Sequence, residues 1–304
     1  MEADLAQLLA QGERAAFHGP PPKAVEALEV AVERAQQAKR VAESTAASWL
    51  LGLSLGAAGR YARALDVLAP LVDLAEAKGT APEVRLFGGF AAASVASVQR
   101  QLGRHGVAQQ SDERGLALAD GKGEAAFACQ LGLAADAVGL GDAATATSAA
   151  DKAAALLPDR PTEWWRQRVR YDWVRTELAL LAEDPESAAE AAEAAVERAE
   201  RARAPRHDAK SLLFLGVARV SVAPTDAASA LRRAATLAEG LGALPLIWPS
   251  RALLGALLMA DNPDDGAASL GAARTAVLAI AADLPDDLRT EWLARPDLAA
   301  LLEG

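Results

Sequence analysis

The side chains best equipped for recognition chemistry crowd into one stretch, TEWWRQRVRYDWVR at 162–175, which holds three tryptophans, one tyrosine and four arginines. On a helix, Trp165, Arg168 or Val169, Asp172 and Thr176 share one side, while Arg166, Arg170 and Trp173 share another. Guanidinium and indole groups on one face can grip an acidic partner by ion pairs and cation–π attraction, or stack on an RNA base. The same residues also suit a packed helix whose arginines pair with the many glutamates nearby.

Catalytic chemistry finds no comparable foothold. His18, His105 and His207 are scattered, and only the adjacent His207-Asp208 brings a second ligand type close; helical neighbours point to different faces, so the histidines read as exposed turn residues. Cys129, the single cysteine, has no neighbouring His or Lys to lower its pKa and reads as a small core residue beside Phe127 and Leu131. The glycines of LADGKGE at 118–124 lack the spacing of a phosphate loop and follow a helix rather than a strand. Asp264-Asp265 and Asp286-Asp287 resemble paired carboxylates but stand where helix N-termini want negative charge. No enzyme, metal or cofactor is expected.

Composition narrows the partners. Thirty-one basic against forty-one acidic residues leave a formal charge of −10, which opposes a general role on nucleic acid, because phosphate binding draws on clustered Lys and Arg. With 52% hydrophobic residues but only six Trp, two Tyr and five Phe, the core must be built from Ala, Leu and Val. One cysteine allows no internal disulfide. The acidic start MEADLAQLLAQGERAAFHG is unlike a signal peptide, and no apolar run is long enough to span a membrane; a cytoplasmic protein is expected.

The elements that must position these residues repeat along the chain. In SWLLGLSLGAAGRYARALDVLAPLV at 48–72, Gly52 lies in a first helix, Gly59 ends it, Tyr61 opens a second, and Ala64, Leu68 and Leu71 recur at helical steps. This unit resembles the tetratricopeptide repeat, with Gly52 as the small residue of helix A and Ala64 as the first small residue of helix B, twelve positions on. The pairing recurs as Gly12 with Ala24, Ala96 with Ala108, Ala134 with Ala146, Thr176 with Ala188, Gly216 with Ala228, and Gly255 with Ala267. The period averages about 40 residues against the family's 34. Turn residues separate the two helices of every unit: Gly19-Pro20-Pro21-Pro22, Gly59, Gly103, Gly141-Asp142, Asp184-Pro185, Pro224-Thr225-Asp226 and Asn262 to Gly266. Small residues at both places let antiparallel helices cross closely.

The resemblance implies an all-α, right-handed α-α superhelix of about seven antiparallel helix pairs, with units near 1–40, 41–80, 81–120, 121–160, 161–204, 205–244 and 245–283, forming one continuous domain. Residues 284–304 would cap it, Asp286 or Asp287 starting a short helix with Leu288, Trp292 and Leu293, and Pro296 opening another. This ending is similar to the C-terminal tails of tetratricopeptide regions in actinobacterial LuxR- and SARP-type activators, though no P-loop or helix-turn-helix accompanies it. Carried over by register, the family's concave face would present Leu9, Glu13 and Phe17, then Trp49, Phe90, Arg100 and Gln101, then Arg170, Trp173, Glu177 and Lys210. That mixture suits a protein or peptide bound through aromatic anchors, so a non-catalytic scaffold or regulatory protein is expected. A ligand- or nucleic-acid-responsive regulator using 162–175 is the alternative. Equally, Trp49 and Trp173 could fill the inside of a tightly wound coil.

Overall fold

The computed structural model describes residues 2–77, 81–160 and 163–303; Thr162, the first residue of the aromatic and arginine stretch, falls outside them. Among the described residues there are sixteen helices and no strand. They run α1 (Glu2–His18), α2 (Pro21–Gln37), α3 (Val41–Ala57), α4 (Tyr61–Glu76), α5 (Pro82–Gln101), α6 (His105–Leu118), α7 (Gly123–Gly139), α8 (Ala143–Ala154), α9 (Trp165–Leu181) and α10 (Pro185–Arg201). Then follow α11 (Pro205–Arg219), α12 (Pro224–Leu241), α13 (Leu244–Leu258), α14 (Pro263–Ala281), α15 (Asp286–Leu293) and α16 (Pro296–Glu303). The chain gathers into two compact units, Met1–Gly56 with Tyr61–Gln167 and Ala57–Arg60 with Arg168–Gly304.

Local chemistry sets the helix ends. Asp142, Asp184 and Asn262 stand at the N-caps of α8, α10 and α14, their side chains accepting from the amides of Thr145, Ser187 and Asp265 at 3.0, 3.0 and 3.3 Å. Proline occupies the first turn of α2, α10, α12 and α14, where its missing N–H costs nothing. At the close of α5 and α7 the chain turns through Gly103 (φ 82°) and Gly141 (φ 74°), and the next amide bonds back to a carbonyl five residues earlier. α9 makes the same turn with a glutamate, Glu183, at φ 57°.

In the first unit Gly12 and Gly52 of helix A accommodate leucine rather than alanine. A methyl on Gly12 would lie 2.5 Å from Leu28, and one on Gly52 would collide with Leu68. Ala24 and Ala64 sit one turn earlier on helix B and are fully buried. At the corresponding place α6 carries Asp112, whose carboxylate lies where a side chain on Gly132 would have to go. Ala96, Ala108, Ala134 and Ala146 are likewise fully buried.

In the second unit Thr176 and Ala188 are fully buried, and Thr176 turns its hydroxyl back to the Asp172 carbonyl at 2.9 Å. The spacing tightens by one residue further on. Gly216 receives Leu231 and Gly255 receives Leu270, and the enclosed helix B residues are Ala227 and Gly266. Ala228 is only half-buried and Ala267 is exposed. The expected twelve-residue pairs Gly216–Ala228 and Gly255–Ala267 are therefore corrected to eleven, because leucine insertion into the glycine notch fixes the helix rotation. At the C-terminal end, Asp286 and Asp287 lie inside the first turn of α15, while Pro285 holds the N-cap without a side-chain bond. Trp292 is buried, and Arg289 ties α15 to the carbonyls of Ala281 and Leu284 at 3.0 and 2.8 Å.

Candidate functional site

The first unit contains a cleft of about 830 Å³ bounded by α1, α3, α5 and the start of α9. Its wall is aromatic. Trp49 stacks on Phe90 with ring centres 4.7 Å apart and meets Phe87 at 5.8 Å and Phe17 at 6.4 Å. The Trp49 indole N–H donates to Ser94 Oγ at 3.1 Å, which satisfies its polar edge and fixes the ring. Trp49 lies three residues before Gly52 and Phe17 five after Gly12, so both rings stand on the helices whose glycines admit a leucine.

Arg166 enters the cleft from the first turn of α9. Its guanidinium carbon sits 4.3 Å from the Phe17 ring centre and 5.8 Å from that of Trp49, within cation–π range, and its Nη2 lies 3.8 Å from Glu124. Trp164, just before the helix, adopts φ 52°, a conformation disfavoured for a bulky residue. That turn delivers Trp165 against His18, ring centres 5.7 Å apart, and Trp164 edge-on to Phe127. Glu13, Arg14 and His18 are exposed at the rim. The cleft thus offers flat apolar surface, one aromatic-held cation and charges of both signs, and no grouping of nucleophile and base.

The second unit treats its tryptophan differently. Trp173 is buried between His207 and Phe214, stacked on both with centres at 5.6 and 6.2 Å, and its N–H donates to Ser211 Oγ at 2.8 Å. Lys210 Nζ lies 4.4 Å from the Trp173 ring centre and 5.5 Å from that of Phe214. The indole expected to offer a stacking surface is already covered. His207, expected in an exposed turn, is 2% exposed. Asp172, on the opposite side of α9, receives Arg198 Nε at 2.8 Å and lies 3.5 Å from Arg175; burial pushes its pKa up against the pull of these two cations.

Arg100 and Gln101, placed by register on the recognition face, are committed inside the protein. Arg100 makes a two-pronged pair with Asp136 at 2.8 and 2.9 Å, reaches Asp112 at 3.0 Å and donates to the Gly132 carbonyl at 3.0 Å. His105 Nδ1 approaches the same Asp136 at 3.0 Å. Gln101 Oε1 accepts from the Tyr61 hydroxyl at 2.8 Å. These are corrections to the expected partner face: both side chains fasten neighbouring helices to one another. Phe87, Arg166 and Arg206 were absent from that face. Arg166 and Arg206 lie on the first turns of their helices and Phe87 on the second turn of α5, nine or ten residues before Ala96, Thr176 and Gly216, one turn further back than the transferred register reached.

Among the described residues no three His, Cys, Asp or Glu side chains converge as a metal site, and no helix is long and apolar enough to cross a membrane.

The architecture is that of a tetratricopeptide-like helical solenoid. Its fold is similar over the whole chain to a Rap protein complexed with competence and sporulation factor, with a TM-score of 0.64, 10% identity and 86% of that chain covered. NprR in complex with its cognate peptide NprX matches 98% of this chain and 82% of its own, at 14% identity and a TM-score of 0.52. A STAND protein with a tetratricopeptide repeat sensor from Pyrococcus horikoshii matches 91% of this chain but only 43% of its own, at 13% identity and a TM-score of 0.53. At such identities the likeness shows the fold alone. No family model matches the sequence, and no curated protein does.

Proposed function

We propose that this chain is a non-catalytic, cytoplasmic, regulatory binding protein that takes a peptide, or a peptide segment of another protein, against its helix A faces. The observation that carries this reading is the aromatic cleft of the first unit: an apolar wall of Phe17, Trp49, Phe87 and Phe90 beside Arg166, Glu13 and Arg14. Such a surface matches anchored peptide recognition, in which a few buried rings supply most of the affinity and rim charges set orientation. Two solenoids of similar fold are complexes with competence and sporulation factor and with a cognate peptide, which supports the same use here. A regulatory lineage would also fit the resemblance, read from the sequence alone, of the tail to those of LuxR- and SARP-type activators. In the second unit Arg170, Glu177 and Lys210 would take part through their charges, since the indole of Trp173 is covered. The net charge of −10 argues against nucleic acid as the partner.

The test is selection of binders from a random peptide display library, followed by fluorescence anisotropy with the selected peptide. Arg166→Gln and Phe87→Ala are each expected to weaken binding about tenfold or more, equal to roughly 1.4 kcal/mol, with helical circular dichroism unchanged. Selection of no peptide, or full affinity in both variants, would remove the cleft from consideration.

A further inference from the structure

In the cleft of the first unit, rings and hydrogen-bond donors are interleaved. Phe17, Trp49 and Phe90 are buried, Phe87, Trp164 and Trp165 are half-buried, and Leu86 leaves 43% of its surface exposed. Trp49 spends its indole N–H on Ser94, but no described residue accepts from that of Trp164, whose ring meets Phe127 edge-on. Arg14 is exposed and forms no ion pair among the described residues. Arg166 holds its planar fork of donors over Phe17. Trp164 sits at φ 52°, and strain of this kind, on the order of 1–3 kcal/mol, persists where the position of a side chain matters. The ways of taking a peptide differ in what they ask of its backbone. With no strand among the described residues, there is no sheet edge for a β-strand ligand to extend. A helical ligand satisfies its own N–H and C=O groups and gains nothing from donors set among rings. A polyproline II segment has no internal hydrogen bonds, so each of its carbonyls is open to a donor, and its pyrrolidine rings lie flat on aromatic faces.

We propose that this cleft binds a proline-containing segment in the polyproline II conformation, with a basic residue at its flank. The proposal rests on the peptide-binding reading and names the chemistry of the ligand. The prolines stack on Phe87, Trp164 and Trp165, and the carbonyls between them accept from Trp164, Arg14 and Arg166. Proline fixes φ before binding, which lowers the cost of ordering the segment. The basic flank follows from charge. Glu13 is exposed at the mouth of the cleft, and a net charge of −10 on the whole chain draws in a cationic segment and repels an acidic one.

The experiment is a competitive display selection on the full chain, from equal pools of short random peptides of one length. One pool carries two fixed prolines three residues apart, and the other carries no proline. The proline pool is expected to be enriched about tenfold or more, with Lys or Arg beside the prolines. A selected peptide is then made synthetically, and its binding is followed by fluorescence anisotropy. Replacing its prolines with alanine is expected to weaken binding about tenfold or more, since alanine favours a helix and leaves the aromatic faces bare. Trp165→Ala is expected to weaken binding about tenfold, while Trp165→Phe keeps it within about threefold, with helical circular dichroism unchanged in both. Glu13→Gln and Arg14→Gln, both at exposed positions, are each expected to weaken it about two- to fivefold, and Glu13→Gln to reduce its dependence on salt. Enrichment of the proline-free pool, an alanine form that binds as well as the proline form, or full affinity in Trp165→Ala overturns the proposal. If Trp165→Ala loses its helical signal, Arg14→Gln decides in its place, and full affinity there overturns the proposal equally. Proline-free peptides that depend on Phe87 and Arg166 would remove the proline inference alone; no binder from either pool would remove the peptide-binding reading with it.

Discussion

Arg100 in the first unit and Arg206 in the second are both drawn out of water on a helix A, and they meet opposite surroundings. Arg100 is met by two carboxylates that are wholly enclosed, Asp112 and Asp136, and by the Gly132 carbonyl. Arg206 has a second arginine for its electrostatic neighbour and a buried Nε without an acceptor. The first arrangement puts an ionic joint where four other hairpins, α1–α2, α3–α4, α11–α12 and α13–α14, set a leucine into a glycine notch; the second leaves a cation whose charged neighbour is another cation. A cation whose anions are supplied by the chain holds neighbouring helices together, and one without them adds no such joint to the packing.

The sharpest way to break that contrast is Arg100→Met, which strands Asp112 and Asp136 without their guanidinium. Loss of one partner from a buried ion pair costs about 3–5 kcal/mol, to be measured by urea unfolding. The same substitution at Arg206 is expected to be neutral or stabilising; equal losses at both positions would erase the distinction. Next in size comes the packing register. Ala227→Leu should cost roughly 1–3 kcal/mol by overfilling an enclosed position, while Ala228→Leu, half-buried one residue on, should stay within about 0.5 kcal/mol. The reverse order of melting temperatures would restore the twelve-residue spacing.

Those two alanines mark where sequence reading ends. Helix limits were legible because their signals are local: Asp142, Asp184 and Asn262 cap their own helices, and Pro or Gly marks the turns. Small residues facing across each hairpin were legible as a pattern, but composition cannot choose between adjacent Ala227 and Ala228, or Gly266 and Ala267. Leu231 and Leu270 make that choice through their fit to Gly216 and Gly255. The candidate site was less legible for the same reason. Trp49 and Trp173 share one register position, yet Phe87 and Phe90 line a cleft beside the first while His207, Phe214 and Lys210 close over the second. Those partners lie about forty residues away, on another hairpin. Arg100 was read outward because the acids that hold it, Asp112 and Asp136, are on α6 and α7.

Asp208 sharpens the account of the second unit through pH. Burial and Glu200 raise its pKa from 3.8 to about 6 against the pull of Arg233, and its Oδ1 has no hydrogen-bond partner among the described residues. A raised acid binds its proton more tightly in the folded state, so its ionisation penalises folding: the penalty is absent below about pH 4, grows up to about pH 6 and is complete above. Asp208→Asn is therefore expected to stabilise the chain by about 1–2 kcal/mol at pH 7.5, allowing for partial exposure, and to change little at pH 4. Urea unfolding at both values checks this. A gain of equal size at each pH would assign the effect to packing instead of charge.

The smallest expected effect concerns the turn at which the two units differ in residue type. Gly103 and Gly141 take the left-handed conformation after α5 and α7, while after α9 Glu183 takes it at φ 57°. Its amide bonds to the Leu180 carbonyl at 3.0 Å and the next amide to that of Ala179 at 2.9 Å, the same closing pattern that follows Gly141. A side chain in this region costs roughly 1 kcal/mol through contact of Cβ with the backbone, and glycine removes that contact at some cost in unfolded-state entropy. Glu183→Gly is accordingly expected to raise stability by about 0.5–1 kcal/mol, and Gly141→Glu to lower it by a similar amount. Thermal unfolding of the pair decides the matter: a loss in Glu183→Gly would mean that the glutamate side chain holds the turn in a way its backbone bonds do not reveal.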